Sequence, residues 1–385
     1  SAMSNSFSPA GLEAQYERDF SRAKRSGLGS GRVEEATHDA QQVASHYNAL
    51  GDRHRSLTSG SEILYLRNLH NFLKAVLIGK HMQRGWSVLD LACGKGGDML
   101  KFKVGGCAQY VGVDIAMLSV CDAVGRYSGR HGRGGAMPFA ATFVAADFCD
   151  VALCDAIPHH MSFHLVSCQF AVHYAFSTEA RALAMLHNVS SRLLPGGSFV
   201  GTMPDARVLV RRLREAPALE FGNACYSVVF NKAHASKVPL PVLSKLAAQF
   251  DLELEYAHNF TDFFCQEYSS QRDLLERMKV LPEGDFLSEE EWEVAHSYLV
   301  FSFRKRGQGA LQPLSRQRTT KVTEEDIIRL SSAGVSGVPL PSPQLPLPHQ
   351  DGAKTDERAG LSAGPPRDRG ETRDPVVYAV DDLFA

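Results

Sequence analysis

Several things are scarce in this chain. None of its eight cysteines, at 93, 107, 121, 149, 154, 168, 225 and 265, forms a C-x-x-C pair. That argues against a zinc site, a dithiol redox motif or a disulfide framework, and for free thiols in a reducing compartment; no metal is expected. No apolar run is long enough to cross a membrane, and no signal peptide is legible, so no membrane partner is expected. Neither sign of charge dominates: 41 Lys and Arg stand against 43 Asp and Glu, a net of −2. Any surface for nucleic acid must therefore be local. Internal repeats are absent. What remains is a chain of 385 residues, 44% of them hydrophobic, enough for one large domain with tails or for two domains.

The most informative segment runs Val88-Leu89-Asp90-Leu91-Ala92-Cys93-Gly94-Lys95-Gly96-Gly97-Asp98. A short apolar strand ends in a turn with three glycines. Sixteen residues past Asp98, the run Tyr110-Val111-Gly112-Val113 ends in Asp114. Glycines let a backbone approach a ligand closely, and an acid closing the next strand accepts hydrogen bonds from ribose hydroxyls. The segment points to a nucleotide-type cofactor. Its form is not the dinucleotide G-x-G-x-x-G; it resembles the loop of S-adenosylmethionine-dependent methyltransferases. Cys93 in that turn reads as a small buried residue rather than a nucleophile.

Around the loop, strands and helices alternate. Helical spacing covers Glu34–Tyr47 and, more strongly, Glu62–Met82. Strands are expected at Ser87–Leu91, Tyr110–Val113, Thr142–Ala146, Phe163–Phe170 and Ser198–Met203. A helix over Glu179–Leu194 closes at Pro195-Gly196-Gly197. Further on come a helix over Leu240–Phe250, strands at Leu252–Tyr256 and Ser297–Phe303, and a helix opened by the capping box Ser288-Glu289-Glu290-Glu291. Such alternation predicts a mostly parallel sheet covered by helices on both faces. Residues 1–30, beginning with Ser1-Ala2-Met3 as a tag remnant, read as a flexible arm. Residues 307–385 read as a Pro-rich disordered tail, with one helical turn near Thr323–Leu330 and a more apolar end from Val376.

In such a sheet the ligand sits beyond the carboxyl ends of the strands, where the strand order reverses. Asp114 then suits the ribose. Asp147 is placed to receive an adenine amino group, with Phe148 packing the base. Gln169 lies near the reacting sulfur.

Five stretches together resemble the eukaryotic messenger-RNA cap guanine-N7 methyltransferase family. They are Val43–Asn48; Tyr65–Ile78, with Arg67-Asn68, Asn71 and Lys74; Leu89–Asp98; Ser167–Tyr174, with Gln169-Phe170 and His173-Tyr174; and Ser297–Phe303. The resemblance runs from about Val43 to Lys305. It implies a Rossmann-like class I methyltransferase with a mostly parallel seven-stranded sheet flanked by helices, a catalytic domain over 31–306, and nuclear location. It implies S-adenosylmethionine as cofactor, with Lys74, Ala92, Gly94, Asp98, Asp114, Asp147, Phe148, Gln169 and Tyr174 around it. It implies capped RNA as partner, met by His70, Asn71, Lys95, Lys101, Arg126, His173 and Tyr298, with other capping proteins meeting the tail.

Guanine N7 carries a free lone pair at neutral pH and a sulfonium donates methyl without a metal. The expectation is therefore positioning, with no residue acting as base or nucleophile. Arg207, Arg211, Arg212 and Arg214 read first as an exposed helix face, with RNA-backbone contact the alternative. Three departures from the family stand out. His70 replaces Asn. Ala92 replaces Gly, a small change if φ there is negative. Ser227–Phe250 contains no Asp or Glu, although the family carries a guanine-reading glutamate there; a weakly active relative, or a methyltransferase on another substrate, is the alternative reading.

Overall fold

The computed structural model describes residues 43–45, 64–130, 135–158, 160–216, 220–229, 239–282, 287–309, 311–315, 319, 321–331 and 334–335. The arm at 1–30, most of the helix expected over 34–47, and the Pro-rich and final segments lie outside them. Residues 43–45 are helical.

Helix α1 spans Leu64–Lys80 and buries Leu66, Leu69, Phe72, Leu73, Val76 and Leu77, spaced three or four apart or adjacent. Each such side chain contributes roughly 1.5–3 kcal/mol on burial, which holds α1 on the sheet. Then follow β1 (Ser87–Leu91), α2 (Met99–Val104), β2 (Gln109–Asp114), α3 (Met117–Tyr127), β3 (Ala140–Ala145) and β4 (Phe163–Gln169). After them come α4 (Glu179–Ser190), β5 (Leu193–Pro204), α5 (Ala206–Glu215), β6 (Glu220–Asn223), β7 (Tyr226–Val229) and α6 (Leu240–Ala247). The last set is β8 (Leu252–Asn259), α7 (Phe260–Glu267), α8 (Arg272–Arg277), α9 (Glu289–Ala295), β9 (Tyr298–Lys305), β10 (Ile328–Ser331) and β11 (Gly334–Val335).

The main sheet has the order β11-β10-β3-β2-β1-β4-β5-β9-β8. Strands β10, β3, β2, β1, β4 and β5 are parallel, β11 pairs antiparallel with β10 at one edge, and β9 and β8 are antiparallel additions at the other. The order reverses beside β1, whose neighbours are β2 and β4, so a crevice opens there at the carboxyl ends. The central strands β1, β2 and β4 are buried along their whole length, as strands covered on both faces must be. One core cluster gathers α1, α2, α3 and α7 against the sheet; the other gathers α4 and α6. The capping box at Ser288 and Glu291 forms as expected, and Glu291 also accepts the Leu66 amide at 3.1 Å, tying α9 to α1. Strands β6 and β7 form a separate hairpin.

Two expectations need correction. The Pro195-Gly196-Gly197 turn does not precede β5 but lies within it: Leu193 already pairs with Phe163, and the register then jumps to Leu165–Ser198. Gly196 at φ 79° lets the strand bulge without breaking the ladder. Secondly, the seven expected strands are joined by two more from beyond Arg306. Among the described residues past 306, the Leu314 amide donates to the Gly85 carbonyl at 2.8 Å and the Gln312 carbonyl meets His164 Nε2 at 2.8 Å. Val322, Ile327 and Leu330 are buried, and β10 pairs with the β3 edge. This strap is part of the domain because β3 would otherwise leave an open edge. The helical turn near 323–330 shrinks to Glu324–Asp326 ahead of β10. The basic run Arg304-Lys305-Arg306 is ion-paired rather than free. Its members meet Glu255, Asp251 and Glu253 at the β8–β9 edge.

Candidate cofactor and cap site

The glycine turn leaves β1 with three residues in the left-handed region: Ala92 at φ 56°, Gly94 at 51° and Gly96 at 71°. At Gly96 the positive φ favours glycine, and a Cβ there would fall 2.1 Å from Met99 Cε, so the end of that side chain would have to shift. A Cβ at Gly94 or Gly97 would meet nothing within 4 Å; the space above the loop is open, as a ligand cradle requires. Ala92 corrects the expectation of a mild substitution, because its φ is positive and the methyl group there is strained.

Asp114 ends β2 and organises the loop. Its Oδ2 accepts from the Gly94 amide and its Oδ1 from the Ala116 amide, both at 2.8 Å. Burial raises its carboxyl while these amide donors lower it. The carboxylate therefore fixes the loop through the backbone amides around it. Cys93 beside it is buried, and burial with Asp114 and Asp90 nearby pushes its thiol well above the usual value, so it is no nucleophile at neutral pH. Under the loop, Asp90 accepts the Tyr110 hydroxyl at 2.9 Å; burial, aided by Asp98, pushes its carboxyl up to about 8.

The structure brings four of the expected residues together across α1 and α2. Asp98 accepts Lys101 Nζ at 2.6 Å and Lys74 Nζ at 3.1 Å, and Lys101 also donates to Asn71 Oδ1 at 3.3 Å. Burial is the largest single influence on the Asp98 carboxyl and raises it, yet the two ammonium groups together hold it well below the usual range. Burial in turn lowers Lys101. Lys101 is thus a built-in member of a buried cluster rather than part of a solvated face. Lys95 is different: it precedes α2, is part-exposed, and sits 3.4 Å from Asp122. Arg126 lies near the end of α3, with its Nε buried and without a hydrogen bond among the described residues.

At the end of β4, Gln169 donates through Nε2 to Ser167 Oγ at 3.1 Å, while its Oε1 is buried with no partner among the described residues. A buried acceptor left open at the crevice fits a ligand donor. Phe170 follows in the left-handed region at φ 57°, a strained place for a bulky residue. Its ring packs with His70, Phe260 and Tyr298 at centroid distances of 5.5–6.0 Å, and Lys74 Nζ lies 5.8 Å over it. His70 and Tyr298 are buried in this cluster, and burial pushes the His70 imidazole down to about 3, so it is neutral. Phe170 is the half-buried member. Neither Phe170 nor Phe260 stood out as a site residue in the sequence; a left-handed backbone is not visible there. His173 and Tyr174 stand on the following turn, half-buried, with rings 4.3 Å apart.

Asp147 follows β3 at the same end of the sheet. It is not free: Arg181 of α4 grips it, Nη1 to Oδ2 at 2.9 Å and Nη2 to Oδ1 at 3.4 Å, and the Cys149 amide donates to Oδ1 at 2.9 Å. Arg181 gave no sequence signal, being 34 residues away. The Phe148 ring, expected against a base, is packed into the core with 6% exposure.

A small apolar cleft opens beside Tyr298, lined also by Pro204, Leu209, Tyr226, Val228, Val294 and Ser297. At its rim Arg212 meets Tyr226 and Glu293, and Asn223 donates to Glu293 at 2.7 Å.

Residues 31–240 and 236–306 match the mRNA (guanine-N(7))-methyltransferase domain. The mRNA cap guanine-N(7) methyltransferase 1 of Oryza sativa subsp. japonica is 38% identical over 343 residues, covering 78% of this chain and 92% of the relative. Its namesake in Arabidopsis thaliana is 35% identical over 332 residues, covering 76% and 90%. A solved S-adenosylmethionine-dependent methyltransferase from Mesorhizobium loti aligns at 17% identity with a TM-score of 0.39, covering 60% of this chain and 95% of that one. On the match across residues 31–306 and these relatives, the chain belongs to the mRNA (guanine-N7)-methyltransferase family.

Proposed function

We infer that the chain transfers the methyl group of S-adenosylmethionine to N7 of the guanine that caps messenger RNA, converting GpppRNA to m7GpppRNA. The observation that carries this reading is the crevice beside β1. There Asp114 pins the glycine turn, Gln169 leaves a buried acceptor open, and the family's Lys74, His173 and Tyr174 stand around the same opening. The cofactor supplies an electrophilic methyl on a sulfonium. Asp114 would hold its ribose, Gly94 and Gln169 its amino-acid end, and Asp147 its adenine. N7 is already a lone-pair nucleophile, so the residues need only align it with the methyl carbon. Orientation of this kind is worth up to about 7–11 kcal/mol. Lys74, Asp98, Asn71 and Lys101 form a preordered polar wall. Phe170, half-buried and backed by the buried His70 and Tyr298, forms an aromatic one, against which a guanine face stacks. On this reading Lys95 and Arg126 face the triphosphate, and the enzyme works in the nucleus with other capping proteins.

The test is transfer from labelled S-adenosylmethionine to GpppRNA, with m7GpppRNA as the blocked acceptor. Label on the first and none on the second supports the reading. A second reading rests on the acid-free stretch from Ser227 to Phe250: a relative that binds cofactor but methylates weakly. Tight adenosylhomocysteine binding with no transfer would favour it.

A further inference from the structure

Helix α5 leaves the carboxyl end of β5 immediately after Pro204, one of the residues lining the cleft beside Tyr298. Leu209 of the same helix also lines that cleft. Arg212 turns inward to Tyr226 and Glu293, which fixes how the helix is rotated. That rotation leaves Arg207, Arg211 and Arg214 exposed. Spacings of four and three put them on one face, spread over about 10 Å of axis at 1.5 Å per residue. Arg207 reaches back to the helix-capping Asp205 at 3.3 Å, yet its side chain is 76% exposed. Arg211 and Arg214 make no ion pair with any described residue. In a protein whose net charge is −2, an exposed row of guanidinium groups leading away from the cleft, two of the three without an ion pair among the described residues, is a local feature, and guanidinium is the group best shaped to grip phosphate.

We propose that Arg207, Arg211 and Arg214 form a track for the phosphodiester backbone of the first RNA nucleotides beyond the cap. The proposal rests on the cap-methyltransferase reading. The track binds RNA of any sequence, because phosphate contacts position without reading bases. It explains how a chain with no overall basic charge would favour capped RNA over a free cap.

The test compares Arg211→Ala/Arg214→Ala with the unaltered chain on two acceptors: the dinucleotide GpppG and a capped RNA of about ten nucleotides. Arg211→Lys/Arg214→Lys serves as the charge-retaining control, and adenosylhomocysteine affinity and melting temperature report on folding. The Ala pair is expected to raise KM for the capped RNA about tenfold with kcat little changed, and to leave KM for GpppG within twofold. The dependence of log KM on log salt should become shallower by about 1.4, because each single-strand phosphate that is no longer neutralised takes roughly 0.7 from the slope. The Lys pair should keep most of the affinity. Unchanged KM and salt dependence on capped RNA would overturn the track, as would an equal rise on both acceptors, which would place these residues at the cap itself. An unaltered chain inactive on both acceptors would instead overturn the reading on which the track rests.

Discussion

Replacing Asp98 with Asn tests the most heavily loaded ionic contact in the site. The Asp98 carboxylate lies between Lys74 and Lys101, and all three side chains are 11–15% exposed. The amide would keep the shape and remove the charge, leaving two ammonium groups close together with little water to screen them. Breaking a buried pair by neutralising one partner costs about 3–5 kcal/mol. Unfolding entropy of about 2.1 cal/mol/K per residue, over the matched span 31–306, gives about 0.6 kcal/mol per degree, so the melting temperature should fall by about 5–9 °C. The melt is measured without cofactor, so that weakened ligand binding does not enter. Because the folded carboxyl is depressed, its stabilisation is full above the unfolded pKa and disappears only as pH falls through the folded value. The gap between the two proteins should therefore be constant from pH 5 to 8. Adding Lys101→Met removes the stranded ammonium and should recover at least half of the deficit. A fall of less than 2 °C for Asp98→Asn would refute the reasoning and show the cluster to be well hydrated.

Ala92→Gly should stabilise the protein. Relief of a left-handed alanine is worth about 1–2 kcal/mol and the added freedom of the unfolded chain takes back about 0.4–1, so the melting temperature should rise by about a degree or two, while Ala92→Val lowers it; a lower value for the glycine variant would refute the strain. Asp90→Asn should flatten a pH dependence. The folded carboxyl, raised to about 8, holds a proton that the unfolded chain gives up near pH 4, so this group makes stability fall as pH rises between those values. The slope is at most about 1.4 kcal/mol per pH unit. Urea midpoints at pH 5, 6.5 and 8 should converge on this slope for the unaltered chain relative to the variant; a difference independent of pH would mean that Asp90 is ionised in the fold.

The sequence by itself determined the parallel sheet and the place of the crevice. Strands β1, β2 and β4 are mostly apolar runs ending at Leu91, Asp114 and Gln169, and the glycine turn follows the first of them. Such signals are local: a strand buried on both faces must be mostly apolar, and a tight turn favours glycine. Family resemblance added which side chains gather at the opening. What only the tertiary structure decided is everything fixed by contacts between distant segments. Arg181 reaches Asp147 from another helix, and Lys101 turns inward because Asp98 and Asn71 meet it there. Phe170 enters the left-handed region to join an aromatic cluster drawn from α1, α7 and β9. The strap beyond Arg306, polar and proline-bearing along its length, has no strand pattern strong enough to read. It becomes a strand because the open edge of β3 supplies the hydrogen-bond partners that its own sequence does not announce.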